Sequence, residues 1–142
     1  MSDARVVAGT RPVTEVAVGI LLRADGRFLL GCRPAGKPYA GYWEFPGGKL
    51  ERGEDAATAL ARELHEELGI VVAQSEAWRV LEHDYPHAYV RLHLRKVRQW
   101  SGEPVGREGQ ALSWQSTSTD VEPLLPAALP ILQWLADEQA PR

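Results

Sequence analysis

The feature that most constrains this chain is an amphipathic segment at residues 55–68. Its apolar residues recur at the i, i+3, i+4, i+7 spacing of a helix that buries one face: Ala57, Leu60, Ala61, Leu64 and Leu68. Glu54 and Asp55 stand at its start, where the helix dipole favours negative charge, and Gly69 supplies a stop at its end. The pattern therefore predicts a helix that packs this stripe on a core and leaves its other face free.

The opposite face of this segment carries a cluster of carboxylates. At about 100° per residue, Glu63, Glu66 and Glu67 fall within a sector of roughly 100° that points away from the apolar stripe. Arg62 can pair with Glu66 at the i, i+4 spacing, but one arginine cannot offset three negative charges. Two interpretations stay open: a solvated acidic face, or oxygen ligands for a hard divalent cation beside the glycine turn at 47–48.

Around this helix, the sequence predicts short strands and one further helix. The strands are expected at residues 14–22, 28–32, 42–45, 70–72, 78–85, 89–97 and 111–114, and the second helix at 129–139. A turn at 24–27 predicts that the first two strands form a hairpin, and residues 46–48 are expected to end the third strand. This order predicts an α/β sandwich. Residues 1–12 are interpreted as a flexible leader and residues 13–142 as a single domain.

Composition narrows the class of protein. A formal net charge of −3 over 142 residues argues against a surface for nucleic acid polymers, which bind through Lys and Arg. No apolar run approaches the ~20 residues of a membrane span. The single cysteine, Cys32, excludes an intramolecular disulfide and favours a reducing compartment. We therefore expect a cytoplasmic protein without a membrane or nucleic acid partner, as a monomer or weak homodimer.

Residues 48–70 resemble the signature of the Nudix hydrolases, G-x5-E-x7-R-E-U-x-E-E-x-G-U, in which U is a bulky aliphatic residue. Every fixed place is filled, by Gly48, Glu54, Arg62, Glu63, Leu64, Glu66, Glu67, Gly69 and Ile70. The flanking segments W-E-F-P-G-G-K at 43–49 and W-S-G-E-P-V-G-R-E-G-Q at 100–110 resemble the MutT branch of that family. The similarity extends from about residue 15 to residue 135, and it implies the Nudix fold, a mixed β-sheet sandwiched between α-helices.

The resemblance also implies a metal site and a set of catalytic residues. The ligands of Mg2+ or Mn2+ would be the backbone carbonyl of Gly47 and the side chains of Glu63, Glu66, Glu67 and Glu108. Either Glu63 or Glu108 would act as the general base, a choice that the sequence leaves open. Arg62 would orient the glutamates and Glu54 would support the loop before the helix.

The substrate implied by the resemblance is a small nucleotide, bound by Arg33, Phe45 and Gly48. The MutT branch hydrolyses oxidised guanine nucleoside triphosphates to a nucleoside monophosphate and pyrophosphate, which removes them from the nucleotide pool used in DNA replication. It reads the oxidised base with an asparagine in P-A-N-x-P, and Ala128 stands at that place here. We therefore expect a weakened preference for 8-oxo-dGTP over dGTP, or a different base.

Two alternatives to an 8-oxo-dGTP diphosphatase remain at this point. The first keeps the chemistry and changes the substrate to another nucleoside diphosphate derivative or an ordinary nucleoside triphosphate, as the alanine at 128 allows. The second is a Nudix-like module that binds a nucleotide without hydrolysing it. Such a module is expected to lose acids of the signature, and none is lost here.

Overall fold

The computed structural model describes residues 11–141 and has nine helices and strands in that range. They are β1 (Val13–Leu21), β2 (Phe28–Cys32), β3 (Trp43–Glu44), β4 (Gly47–Lys49), α1 (Ala56–Leu68), β5 (Glu76–Asp84), β6 (Tyr89–Val97), β7 (Leu112–Gln115) and α2 (Ala128–Gln139). Most of the expected leader at 1–12 lies outside the described residues. Within it, the Arg11 guanidinium donates to the Asp84 carboxylate and to the carbonyl of Tyr85.

The strands form two sheets. A four-stranded mixed sheet has the order β4-β1-β6-β5, in which β1 and β6 run parallel and the other pairs are antiparallel. A three-stranded antiparallel sheet has the order β3-β2-β7. The expected α/β fold is confirmed, with its strands divided between these two sheets. Among the described residues, neither helix has the length and apolar character needed to span a bilayer.

Strand β1 lies between two apolar cores because its successive side chains point to opposite faces. Ala17 and Leu21 belong to the core that α1 covers, whereas Val18 and Ile20 belong to the core that α2 covers. Helix α1 contributes Ala59, Leu60, Leu64 and Leu68 to its core, and α2 contributes Ala128, Ile131, Leu132 and Leu135 to the other. The mixed sheet is therefore packed between the two helices.

Helix α1 matches the amphipathic segment found in the sequence. The Asp55 carboxylate accepts a hydrogen bond from the Thr58 backbone N–H at 2.8 Å, so this residue is the N-cap. Gly69 ends the helix with φ of 74°, a left-handed conformation that glycine adopts without steric cost. Its N–H donates to the carbonyl of His65. The expected helix at 55–68 is confirmed at both ends.

Three expectations about strands were wrong. The predicted hairpin does not form, because β1 and β2 share only the bridge Leu22–Phe28 and then enter different sheets. The strand predicted at 70–72 is reduced to a single bridge between Val71 and Ser101. Residues 47 and 48, expected as a turn, belong instead to β4, which pairs with β1. The turn at 24–27 does form, but β2 is buried on both faces at the junction of the two cores, and this packing directs it away from β1.

Candidate active site

A cavity of about 600 Å³ lies between β4, the carboxyl-terminal half of α1, the start of α2 and the loops at 33–42 and 106–110. One end is charged and is lined by Lys37, Glu63, Glu67 and Glu108. The other end is largely apolar and is lined by Val18, Phe45, Tyr85, Leu92, Ala128 and Ile131. The cavity can therefore hold a molecule that is highly charged at one end and flat or apolar at the other.

The two glycines of β4 allow its backbone to lie directly between β1 and α1. Gly47 pairs with Val18 of β1, and a Cβ at Gly47 would lie 2.0 Å from the carbonyl oxygen of Ala17. A Cβ at Gly48 would lie 2.2 Å from Cδ of Glu63. A side chain at Gly47 would therefore push β4 away from β1, and one at Gly48 would displace the Glu63 carboxylate. The absence of side chains therefore allows the backbone of β4 to lie against the Glu63 carboxylate and to line the cavity.

Arg62 is the centre of the hydrogen-bond network at the base of this acidic end. Its Nε and Nη2 donate to the two carboxylate oxygens of Glu54 at 2.8 and 2.9 Å, and its Nη1 donates to Glu63 at 2.9 Å. Its Nη2 also donates to the carbonyl of Lys49 at 3.0 Å. The hydrogen bonds from Arg62 and from the Glu51 backbone N–H lower the pKa of Glu54 to about 2. Arg62 thus holds Glu54 ionised and fixes the direction of the Glu63 carboxylate.

The loop that carries Glu108 is tied to the end of α1, although it lies far along the chain. The Arg107 backbone N–H donates to the carbonyl of Glu67 at 3.0 Å, and the Arg107 guanidinium donates to the carbonyl of His65. The Glu108 backbone N–H donates to the side-chain oxygen of Gln110 at 2.9 Å. These contacts bring the Glu108 carboxylate to the charged end of the cavity.

Glu67 has the most perturbed carboxyl group of the cluster. Burial raises its pKa to about 8, and the negative charges of Glu63, Glu108 and Glu44 add to this effect. Lys37 acts in the opposite direction. The raised pKa reflects the cost of placing a negative charge at a poorly solvated position among other carboxylates.

Glu66 differs from the other acids of α1. Its side chain is 57% exposed, lies 3.5 Å from Arg62 and does not line the cavity. Within residues 11–141, no three histidine, cysteine or acidic side chains are already gathered as a ready-formed metal cluster. The donor set still fits a hard divalent cation, because Mg2+ takes one or two carboxylates together with waters and phosphate oxygens. Such an ion would offset the negative charges of Glu63, Glu67 and Glu108, which otherwise repel one another.

The residues expected at the nucleotide lie along the same cavity. Arg33 donates from Nε to the carbonyl of Pro38 at 2.7 Å and from Nη1 to the Glu44 carboxylate at 2.9 Å. Phe45 is buried and packs against Phe28 with ring centroids 5.4 Å apart. Ala128 is also buried at the closed, apolar end, as the first residue of α2.

The cavity lining includes residues that sequence reasoning did not assign to the site, among them Lys37, Glu44 and Tyr85. Glu44 stands directly before Phe45 in the W-E-F-P-G-G-K segment, and this position could have indicated that it lies near the site. Burial raises its pKa, while Arg33 opposes the shift. The Tyr85 hydroxyl accepts a hydrogen bond from the Ala127 backbone N–H at 2.9 Å, so its own proton is free to donate. No local pattern marked Tyr85 or Lys37.

Comparison with known proteins agrees with this architecture. The NUDIX domain matches residues 13–135. The chain is 36% identical over 129 residues to an 8-oxo-dGTP diphosphatase of Haemophilus influenzae, covering 90% of this chain and 95% of that protein. It is 40% identical over 120 residues to a CTP pyrophosphohydrolase of Escherichia coli, covering 84% and 88% respectively. The crystal structure of a MutT NUDIX hydrolase from Burkholderia pseudomallei superposes with a TM-score of 0.79 at 29% identity, covering 87% of this chain and 98% of that one. The chain belongs to the Nudix hydrolase family.

Proposed function

We propose that this protein is a divalent-metal-dependent nucleoside triphosphate pyrophosphohydrolase that releases a nucleoside monophosphate and pyrophosphate. The proposal rests on a cavity that has an acidic end and an apolar end. Its volume of about 600 Å³ lies within the usual range for small-molecule sites. A triphosphate suits the acidic end once a cation offsets the charge, and a nucleobase suits the apolar end.

The residues proposed to hold Mg2+ or Mn2+ are the carbonyl of Gly47 and the carboxylates of Glu63, Glu66, Glu67 and Glu108. When bound, such an ion neutralises phosphate oxygens and lowers the pKa of water. For Glu66, this role requires its exposed side chain to turn toward the cavity when the ion binds. The other three carboxylates already line the cavity, and this supports their assignment as ligands.

The chemical step is hydrolysis of a phosphoanhydride. A bond forms between phosphorus and the oxygen of water, and the bond from that phosphorus to the bridging oxygen breaks. The leaving group is either the nucleoside monophosphate or pyrophosphate, and a proton of water passes to a carboxylate. Glu63 and Glu108 are the two candidates for this base. Glu63 accepts a hydrogen bond from Arg62, whereas Glu108 is 47% exposed and lies 3.9 Å from Lys37. Arg62 is proposed to orient Glu63, and Glu54 to anchor the loop through the backbone N–H of Glu51.

Replacement of Arg62 by lysine tests the orienting role. A lysine ammonium cannot contact both oxygens of Glu54 and one of Glu63 at the same time, as the planar guanidinium does. We expect kcat to fall by roughly tenfold to a hundredfold, the usual effect of losing a partner that orients a ligand. Arg98→Lys, at an exposed position outside the cavity, is the matched control. Equal kcat for Arg62→Lys and wild type would contradict the role.

The preferred base is proposed to be an oxidised guanine, read less strictly than in the MutT branch because Ala128 has no polar group. We expect kcat/KM for 8-oxo-dGTP to exceed that for dGTP by no more than about a hundredfold, since discrimination of 10⁴ or more requires a hydrogen-bonding group at the base. Ala128→Asn should raise this ratio. Ala128→Leu, similar in shape to asparagine but without an amide, should not. If wild type preferred 8-oxo-dGTP over dGTP by several thousandfold in kcat/KM, the proposed loss of discrimination would be wrong.

A second candidate substrate is a cytosine nucleotide. It is favoured by the alanine at 128 together with 40% identity to a protein described as a CTP pyrophosphohydrolase. One experiment separates the candidates and tests the whole proposal. Release of pyrophosphate and of phosphate is measured from 8-oxo-dGTP, dGTP, CTP and dCTP with Mg2+, with Mn2+ and with EDTA. Equal rates in EDTA, or no hydrolysis of any nucleotide, would overturn it.

A further inference from the structure

Lys37 is a cation at the charged end of the cavity that the proposed mechanism does not use. Its Nζ lies 3.9 Å from Oε1 of Glu108, too far for a firm hydrogen bond, and its side chain is 50% exposed. Its positive charge opposes the raised pKa of both Glu67 and Glu44. Lys37 therefore faces the acids without being held tightly by any one of them.

The loop that carries Lys37 is fixed at its base by Arg33. The Arg33 backbone N–H donates to the carbonyl of Tyr42 at 2.8 Å, and its carbonyl accepts from the Gly41 N–H at 2.9 Å. The Arg33 side chain reaches back to the carbonyl of Pro38 and to Glu44. With two donor groups engaged in this way, the guanidinium of Arg33 holds the loop in place and is less available to a phosphate than Lys37 is.

Tyr39 fixes the same loop against the wall of the cavity. It adopts φ of 61°, a left-handed conformation that is unfavourable for a bulky residue, so surrounding contacts must maintain it. Its ring packs edge-on against Tyr85 at a centroid distance of 5.3 Å and against Tyr42 at 5.0 Å. Because Tyr85 lines the cavity, this contact sets the distance between the loop and the binding site.

We propose that Lys37 is a phosphate-binding residue that leaves Glu108 to contact the phosphate chain of the substrate. The inference rests on the proposed function and adds a specific contact to it. A half-exposed ammonium beside carboxylates is suited to this role, since it offsets their charge before phosphate arrives and pairs with phosphate afterwards. The same charge opposes the binding of a metal ion to the bare acids. Lys37 should therefore strengthen the binding of phosphate groups and weaken the binding of a metal ion in their absence.

The two effects have opposite signs, and Lys37→Met should reveal both. Mn2+ alone should bind the variant severalfold more tightly than wild type, because a positive charge near the acids is gone. Imidodiphosphate, whose P–N–P bridge resists hydrolysis, should bind the Mn2+-loaded variant about tenfold more weakly, as expected for the loss of one charge-assisted contact. KM for the nucleoside triphosphate should rise while kcat changes less. Isothermal titration calorimetry and initial rates supply these values.

Lys37→Arg keeps the charge and should restore imidodiphosphate binding to near the wild-type value. Arg98→Met removes an exposed charge outside the cavity and should change neither affinity. Unchanged imidodiphosphate affinity in Lys37→Met would overturn the proposal, and so would a parallel loss of Mn2+ and imidodiphosphate affinity, which indicates a displaced loop. If wild type hydrolyses no nucleoside triphosphate, the proposed function fails, whereas Lys37 is still judged by imidodiphosphate binding.

Discussion

Glu67→Gln is expected to lower kcat/KM for the nucleoside triphosphate by at least about a hundredfold, since a metal ligand contributes more than the partners that orient it. Glutamine keeps the shape of the side chain and removes the negative charge. Glu67 is partly buried beside Glu63 and Glu108, so its negative charge is unfavourable until a metal ion binds nearby. Loss of activity should therefore appear together with weaker binding of Mn2+.

The same substitution should stabilise the metal-free protein at alkaline pH. The pKa of Glu67 is raised from its ordinary value of 4.5 to about 8. A carboxyl group with a raised pKa in the folded state favours folding below pH 4.5, and this contribution is lost as the pH rises through 8. Glutamine does not titrate, so the free energy of unfolding of the variant should fall less between these pH values. The advantage of the variant should be greatest above pH 8 and small near pH 4.5.

Urea unfolding in EDTA at several pH values measures the stability effect, and pyrophosphate release with Mg2+ measures the loss of activity. Glu103→Gln is the matched control, because Glu103 is exposed and does not line the cavity. Surface changes of that kind usually alter stability by about 0.5 kcal/mol or less. If the Glu67→Gln variant hydrolysed its substrate at the wild-type rate, Glu67 would not be a ligand of the metal ion.

The second large effect concerns two adjacent glycines that should fail in different ways. Gly47→Ala is expected to destabilise the fold by about 3 kcal/mol or more, since its Cβ would lie 2.0 Å from a backbone oxygen of β1 that cannot move without breaking the strand pairing. The three atoms nearest to the Cβ of Gly48→Ala would all belong to the Glu63 carboxylate, with Cδ at 2.2 Å. That side chain can turn away, so this variant should fold and lose activity.

Thermal unfolding, far-UV circular dichroism and kcat/KM distinguish the two outcomes. Gly31→Ala is the control, because its Cβ would have its nearest contact at 3.5 Å, an ordinary van der Waals distance. A Gly47→Ala variant as stable as Gly31→Ala would show that β4 tolerates a shift away from β1. Full activity in Gly48→Ala would show that the position of the Glu63 carboxylate beside β4 is unimportant for hydrolysis.

Local patterns predicted α1 well because everything that defines it lies within the segment itself. The apolar residues of the helix recur every three or four positions. The Asp55 carboxylate accepts from the Thr58 N–H, and the Gly69 N–H donates to the His65 carbonyl, so both caps join residues at most four positions apart. Strand β6 was also placed correctly at Tyr89–Val97. The hairpin failed for the opposite reason. The turn at 24–27 is local, but the sheet that β2 joins depends on packing against distant parts of the chain.

The residues that line the cavity were likewise predicted only where a local pattern contained them. Helical spacing put Glu63, Glu66 and Glu67 on one face but did not separate the partly buried Glu67 from the exposed Glu66. That difference arises from β4 and from the loop at 106–110, which pack beside Glu67. Lys37 and Tyr85 carried no signal, because neither belongs to a spacing pattern.

The family signature, the acidic helix and the class of chemistry could be read from residue types at fixed short spacings. The three-dimensional fold was needed to show which acids share a cavity, that Arg62 joins Glu54 to Glu63, and that Lys37 faces Glu108. The physical reason is that burial and electrostatic interaction depend on distance in space, and strand register and loop anchoring set that distance.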